Sequence, residues 1–465
     1  RSDAHHGAMT RPVDAHVSEA DAFTLALERD PGLRATIVAV AVLDRSPEWE
    51  RLEARMDRAT KLVPTFRCRL VASPLGLAPP RWVDDPDFDL SWHLRRIRLR
   101  AGADVPDLWD LARTMAMDAF DHDRPLWEFT LVEGLPDGRA AWVLKVHHAL
   151  TDGIGGIQIA AHVVDLTRDG PDPEPLADPS PVRRARPLEP LAEAIGHDLR
   201  AAAGVGADAV RGAPGTVWRW LRDPLGSSAD ALFEVGSILR TVRPVTDTRS
   251  PVMVERSLHR HFEAVDVPLD ALHAAAARHG ATLNDAFLAA LAGGLRRYHE
   301  AHTACVNWLR VTMPISVRGP DDGPGGNRVT LVRLDLPVGV TDPVRRLAII
   351  HAICDAERHE PALGRSEAIA GVLNRLPIGI TGGMLHHVDL LASNVPGIEA
   401  EVFVAGARLD AFYAFGATLG SAANITLLSS RGVCHVGIVT DGAAIPDPDV
   451  FAACVRDGFD EVIGA

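Results

Sequence analysis

The stretch Trp142-Val-Leu-Lys-Val-His-His-Ala-Leu-Thr-Asp-Gly-Ile-Gly-Gly156 leaves a chain few ways to fold. Trp142 to Val146 is apolar and β-branched with a single Lys, which reads as a short buried strand. It ends in two adjacent histidines, His147 and His148. Neighbouring strand residues face opposite ways, so only one of the two can enter a given cavity. Asp152 and Gly153 follow, then Gly155-Gly156 and an apolar run over 157–166 with helical character. A strand, a glycine-bearing corner and a helix mount one imidazole with a fixed aim. A neutral His is the side chain best matched to accept a proton near neutral pH. Asp152 reads as holding the loop through an ion pair or caps on backbone N–H groups. Gly153 lets the backbone pass where a side chain would block a substrate. Two histidines alone would read as a core pair; Asp-Gly at this spacing, after a buried strand, favours function.

At 465 residues the chain exceeds the size at which single cores stop growing, so two domains are expected. Its 48 basic and 62 acidic side chains give a formal charge of −14, which argues against nucleic acid as a partner. A local arginine cluster can still outvote that average for an anionic ligand. Cys68, Cys305, Cys354, Cys434 and Cys454 are scattered, and no pair has zinc or redox spacing, so no metal site is expected and a reduced cytoplasm is the simple reading. No apolar run has the length to span a bilayer, and no charged-then-apolar signal pattern stands at the start. Arg1 to Ala8, ahead of Met9, are set aside.

Hydrophobic patterning predicts helices over 47–61, 107–119, 269–279, 285–299, 343–358 and 447–463. Strands are expected over 35–43, 67–71, 90–99, 128–133, 255–267, 308–316, 329–338, 388–395, 424–428 and 433–440. Composition shifts over 168–190, where Pro, Asp and Glu give way to Arg183-Arg-Ala-Arg186, and reads as an exposed linker. Apolar helical pieces follow over 191–210, 217–221 and 231–239. The arginines there could meet donor phosphates and Trp218-Arg-Trp220 a lipid surface; a plain crossover connection is favoured over both. The segments are then 9–170, a half-domain with the His motif; 171–250, a linker or crossover; and 251–465, a second half-domain. His122 between Asp121 and Asp123 looks like half a metal site that nothing completes, and reads as a loop. Asn284-Asp285 reads either as a helix cap or as donors beside the His.

His-His-x-x-x-Asp-Gly resembles the motif of acyltransferases with a chloramphenicol-acetyltransferase-like fold, condensation domains of peptide synthetases among them. The wider stretch Pro125-Leu-Trp-Glu…Leu-Val-Glu-Gly-Leu-Pro…Lys-Val-His-His-Ala-Leu-Thr-Asp-Gly resembles one branch, the bacterial wax ester synthase/diacylglycerol acyltransferase family. Thr282-Leu-Asn-Asp285, Met313-Pro-Ile-Ser-Val-Arg318 with Gly326-Asn-Arg328, and Ser393-Asn-Val-Pro-Gly397 agree with that branch. The likeness runs in order from about Asp14 to the C-terminus. Where the family has Pro-Met-His after its first helix (ending at Glu28 here), this chain has Asp30-Pro-Gly-Leu-Arg34.

The resemblance implies an α/β (α+β) fold: a two-domain chloramphenicol-acetyltransferase-like sandwich with an active-site tunnel between the halves. It implies an O-acyltransferase that uses long-chain acyl-coenzyme A as co-substrate, without a cofactor, and a fatty alcohol or diacylglycerol as acceptor. His148 is the expected general base, His147 turns away, Asp152 clamps the loop (to Arg318), and Asn284 is the oxyanion candidate. Without a Gly-x-Ser-x-Gly elbow, no acyl-enzyme is expected. Trp127, in the Pro125-Leu-Trp127 corner, is expected to pack under the His loop and is carried with Ser393, Asn394 and Arg318 among substrate-binding residues. Contact with a membrane or lipid-droplet surface from the cytoplasm follows from the substrates. Two rivals stay open: a condensation-type transferase with a carrier-bound donor, and a non-catalytic acyl-coenzyme A or lipid binder.

Overall fold

The computed structural model describes residues 16–73, 78–151, 156, 159–172, 174–177, 247–316, 329–358 and 385–465. Asp152, Gly153 and Arg318, the helical pieces expected over 191–210, 217–221 and 231–239, and the loop 319–326 lie outside the described residues.

α1 (Glu19–Leu27) starts where the Ser18 hydroxyl accepts the Asp21 N–H. β1 (Thr36–Leu43) and α2 (Trp49–Leu62) follow, then the short pair β2 (Cys68–Val71) and β3 (Arg81–Asp84). One helical turn, α3 (Leu90–His93), runs straight into β4 (Leu94–Arg98), ahead of α4 (Val105–Met117), β5 (Trp127–Glu133), β6 (Ala140–His147) and β7 (Val164–Asp165). The later part carries β8 (Arg260–Pro268), α5 (Leu269–Arg278), α6 (Leu283–Ala301), β9 (Leu309–Ser316), β10 (Val329–Leu336) and α7 (Pro343–Arg358). It closes with β11 (Leu390–Pro396), β12 (Phe403–Val404), β13 (Ala407–Phe415), β14 (Ala423–Ser430), β15 (Val433–Asp441) and α8 (Pro448–Ile463).

Among the described residues, seven strands form one sheet in the order β4-β5-β6-β1-β13-β12-β7, and six form another, β10-β9-β11-β14-β15-β8. β12 and β13, from the span expected as the second half, therefore complete the first sheet. β13 runs antiparallel to β1, with Val38 opposite Phe415 and a slip between Val42 and Leu43. It also lies against β15: a side chain on Gly437 would overlap the Ala414 carbonyl, so glycine is what lets the two sheets meet there.

Apolar alternation gives the first sheet a core on each face. One joins Leu43, Trp127 and Trp142 to Leu52 of α2 and Phe66. The other joins Val38, Val40 and Val143 to Leu108 of α4, and also to Phe262 and Val439 of the second sheet. Phe262 stacks on Phe415 with centroids 4.3 Å apart, so this core binds the halves together. A third core fills the second sheet against α5, α6, α7 and α8. α6 begins at a capping box, the Thr282 hydroxyl taking the Asp285 N–H while the Asp285 carboxylate takes the Thr282 N–H. It crosses α8 backbone to backbone: a side chain on Gly458 would overlap the Ala290 carbonyl and come within 2.7 Å of Gly294 N.

The strand expected over 90–99 is real only from Leu94. Asp89 accepts the Ser91 N–H at 2.9 Å and winds the preceding residues into a turn. Among the described residues, no helix is long and apolar enough to cross a membrane.

Candidate active site

β1 and β6 pair until Thr36 lies opposite His147, and there the strands part. The His148 N–H donates to Ala35 O at 3.0 Å, and the chain turns back on itself with Leu150 N–H on His147 O at 2.9 Å. His147 is fully buried, and its N–H donates to Leu126 O at 3.0 Å. Its Nδ1 accepts the Ala149 N–H at 3.0 Å. A ring nitrogen that accepts carries no proton, so this network assigns the proton to Nε2. Nε2 lies 2.9 Å from Glu28 Oε1, close for an ionic contact though too oblique for a well-formed hydrogen bond. His147 is thus turned back into the fold, as strand alternation requires, and half-buried His148 stands at the tip of the turn.

Glu28 follows α1 and also accepts the Ala35 N–H at 3.1 Å. His122 Nε2 lies 3.7 Å from its other oxygen, which accounts for a histidine whose sequence setting looked like half a metal site. Burial pushes the Glu28 carboxyl up, but His147, the Ala35 N–H and His122 outweigh it and hold the group below its usual value. The family resemblance puts the entry segment from Ser18 to Glu28 near the active-site channel, but no local pattern signals the contact of Glu28 with His147, so distant along the chain.

Lys145, the one charge in the strand, is buried, with Nζ 4.4 Å from the Phe120 ring centre and 3.7 Å from Glu128. Burial lowers its pKa despite Glu128 opposite. Phe120 also meets the His147 ring edge-on at 6.2 Å, so both side chains of this strand face share one aromatic floor.

Trp127 does not fit a substrate-binding role. Its indole is fully buried, donates Nε1–H to Phe66 O at 2.9 Å, and is stacked by Phe66 at 5.0 Å and His93 at 4.5 Å. Neither face is left for a ligand. It packs under the His loop, because its neighbour Leu126 receives the His147 N–H.

The second half brings two candidates together. Asn394 of β11 donates Nδ2–H to Asn284 Oδ1 at 3.5 Å, a long contact between the first turn of α6 and a strand. Ser393 is half-buried beside it, across from Thr426 of β14. Asp285 divides from Asn284 in role: it is fully buried in the capping box, and His351 Nδ1 approaches it at 2.8 Å. Burial raises the Asp285 carboxyl, and His351 with the Thr282 N–H more than reverses that. Asp285 builds the helix start, which leaves Asn284 as the donor candidate there.

The family model "Wax ester synthase/diacylglycerol acyltransferase catalytic domain" matches residues 17–287, and that of the WS/DGAT C-terminal domain matches 325–462. A Mycobacterium tuberculosis protein provisionally named a diacylglycerol O-acyltransferase is 38% identical, over 94% of this chain and 89% of its own length. A second protein of that organism, named likewise, is 30% identical over 96% and 89%. Among solved structures, the wax ester synthase/diacylglycerol acyltransferase of Marinobacter aquaeolei superposes with a TM-score of 0.64 at 21% identity, covering 97% of this chain and all of that one (100%). The first condensation domain of the calcium-dependent antibiotic synthetase gives 0.62 at 16% identity, covering 98% and 96%. The two-domain α/β fold, chloramphenicol-acetyltransferase-like, is the one these structures share with this chain.

Proposed function

The chain belongs to the wax ester synthase/diacylglycerol acyltransferase family, and on that premise we propose that it moves a long-chain acyl group from acyl-coenzyme A to the hydroxyl of a fatty alcohol or diacylglycerol. His148 takes the hydroxyl proton as that oxygen attacks the thioester carbonyl. The tetrahedral oxyanion is met by the Asn284 side-chain amide. The oxyanion then collapses, the carbon–sulfur bond breaks, the proton held by His148 passes to the leaving coenzyme A thiolate to give the thiol, and the ester is released without an acyl-enzyme. The clamp role expected of Asp152 and Arg318 falls on residues outside the described ones. The observation that carries this reading is the structural use of fully buried His147, whose Nδ1 accepts the Ala149 N–H while Nε2 lies against the Glu28 carboxylate, which leaves the chemistry of the motif to His148. Apolar substrates bring the protein to a membrane or lipid-droplet surface from the cytoplasmic side.

The test is release of coenzyme A from palmitoyl-coenzyme A with hexadecanol or dioleoylglycerol, for wild type and His148→Ala. Release that depends on acceptor and vanishes in a folded variant is expected, and the two acceptors are ranked in the same assay. A carrier-bound donor reading predicts no release from coenzyme A thioesters with either acceptor. Near-normal turnover by His148→Ala removes the general base.

A further inference from the structure

We infer that Glu28 is a positioning residue for the transfer, fixing through His147 the turn that carries His148. The inference rests on the function proposed above and adds to it a residue that lies in no motif. Two routes lead from this one carboxylate to the backbone around His148. In the first, Glu28 Oε1 holds the Ala35 N–H at 3.1 Å, and the carbonyl of the same residue holds the His148 N–H at 3.0 Å. In the second, Oε1 meets His147 Nε2 at 2.9 Å, and Nδ1 of that ring receives the Ala149 N–H at 3.0 Å. The amides on both sides of the His148 Cα are thus tied to Glu28 through one intermediate each.

The second route works with one tautomer only. An ionised carboxylate accepts and never donates, so it requires the proton on Nε2 and thereby keeps Nδ1 open for Ala149. With the ring in the other tautomer, Nδ1–H would face Ala149 N–H and the turn would open. The setting of Glu28 points the same way. A negative charge just past the C-terminal end of α1 opposes the helix dipole, and a side chain only 10% exposed pays for desolvation as well. Joining α1 to β1 would not need a charge in so poor a position.

Glu28→Ala, Glu28→Gln and His148→Ala are compared by coenzyme A release (kcat and donor KM), by melting temperature, and by 15N spectra of protein labelled at histidine. Glu28→Ala is expected to lower kcat about ten- to hundredfold with donor KM within about twofold. The His147 ring signals should leave the Nε2–H pattern. Glu28→Gln offers an amide oxygen to the same two N–H groups, so it should keep that pattern and recover most of kcat. A staple that only joins α1 to β1 predicts lower melting temperatures with unchanged kcat, and that result overturns the inference. So does a kcat as low in Glu28→Gln as in Glu28→Ala. If Glu28→Ala melts below the assay temperature, Glu28→Met fills the same length without an acceptor and is judged identically. Activity retained by His148→Ala breaks the proposed function, while the ring spectra still decide whether Glu28 sets the tautomer.

Discussion

Trp127→Phe separates a structural tryptophan from a substrate-binding one. Phenylalanine keeps a ring between Phe66 and His93 but loses the indole N–H and the second ring. The Phe66 carbonyl, buried and bonded to Nε1 at 2.9 Å, is left without that donor, at about 1–3 kcal/mol. The missing ring atoms and the void they leave cost about another 1–2 kcal/mol, since a fully buried site is packed on all sides. The sum is a destabilisation of about 2–5 kcal/mol, among the larger effects of a point substitution. Urea unfolding followed by far-ultraviolet circular dichroism reads it as a lower midpoint with an unchanged slope. Steady-state kinetics at a temperature where the variant is folded should show donor KM unchanged across acyl chain lengths. Wild-type stability together with a KM that rises with chain length would put the indole back in the substrate path and refute the packing argument.

Two further outcomes follow from the packing and the charges. Glu133 is held at about 2 by its hydrogen bond to Arg96, against burial and with Ser46 and Arg98 helping. Its folded value lies below its unfolded one, so its stabilisation is complete above about pH 4.5 and is lost as pH falls through about 2. Glu133→Gln should be less stable at neutral pH by about 1 kcal/mol, because the arginines are exposed and screened, and the two melting curves should converge in acid; a constant gap across that window contradicts the assignment. Gly458→Ala should destabilise by about 1–3 kcal/mol, since overlap with the Ala290 carbonyl exceeds the gain of about 1 kcal/mol in helix propensity, and a raised melting temperature would show that the helices do not cross so closely.

Much of this fold is legible because its strands are buried on both faces and its helices amphipathic. The β-branched run of β1, the strand ending at His147 and α2 are all readable from composition and period. β13 was not read, although Leu409, Tyr413 and Phe415 alternate inward. Nothing local distinguishes a strand of the first sheet from one of the second, because the partner of β13 is chosen by fit against β1. The site shows the same division. That His147 points away from His148 follows from alternation, but what it meets there does not. Glu28, Leu126 and Phe120 converge on it from three separate segments, and such convergence is a property of packing. For Trp127 the corner and its packing under the His loop are legible, but the rings that enclose it are not, since Phe66 and His93 come from elements without a motif.

The late strand in the first sheet also sets an order of events during synthesis. β1 has β6 on one side soon after both emerge, but its other edge stays open until β13 has been made. At elongation rates of about 5–20 residues per second that interval is about 20–70 seconds, long compared with hairpin formation in microseconds. Throughout it the nascent chain presents the unpaired N–H and C=O groups of an apolar strand, Thr36-Ile-Val-Ala-Val-Ala-Val-Leu43, to any other strand nearby. A fragment that stops short of β13 keeps that edge permanently, and self-association is what such a fragment should do.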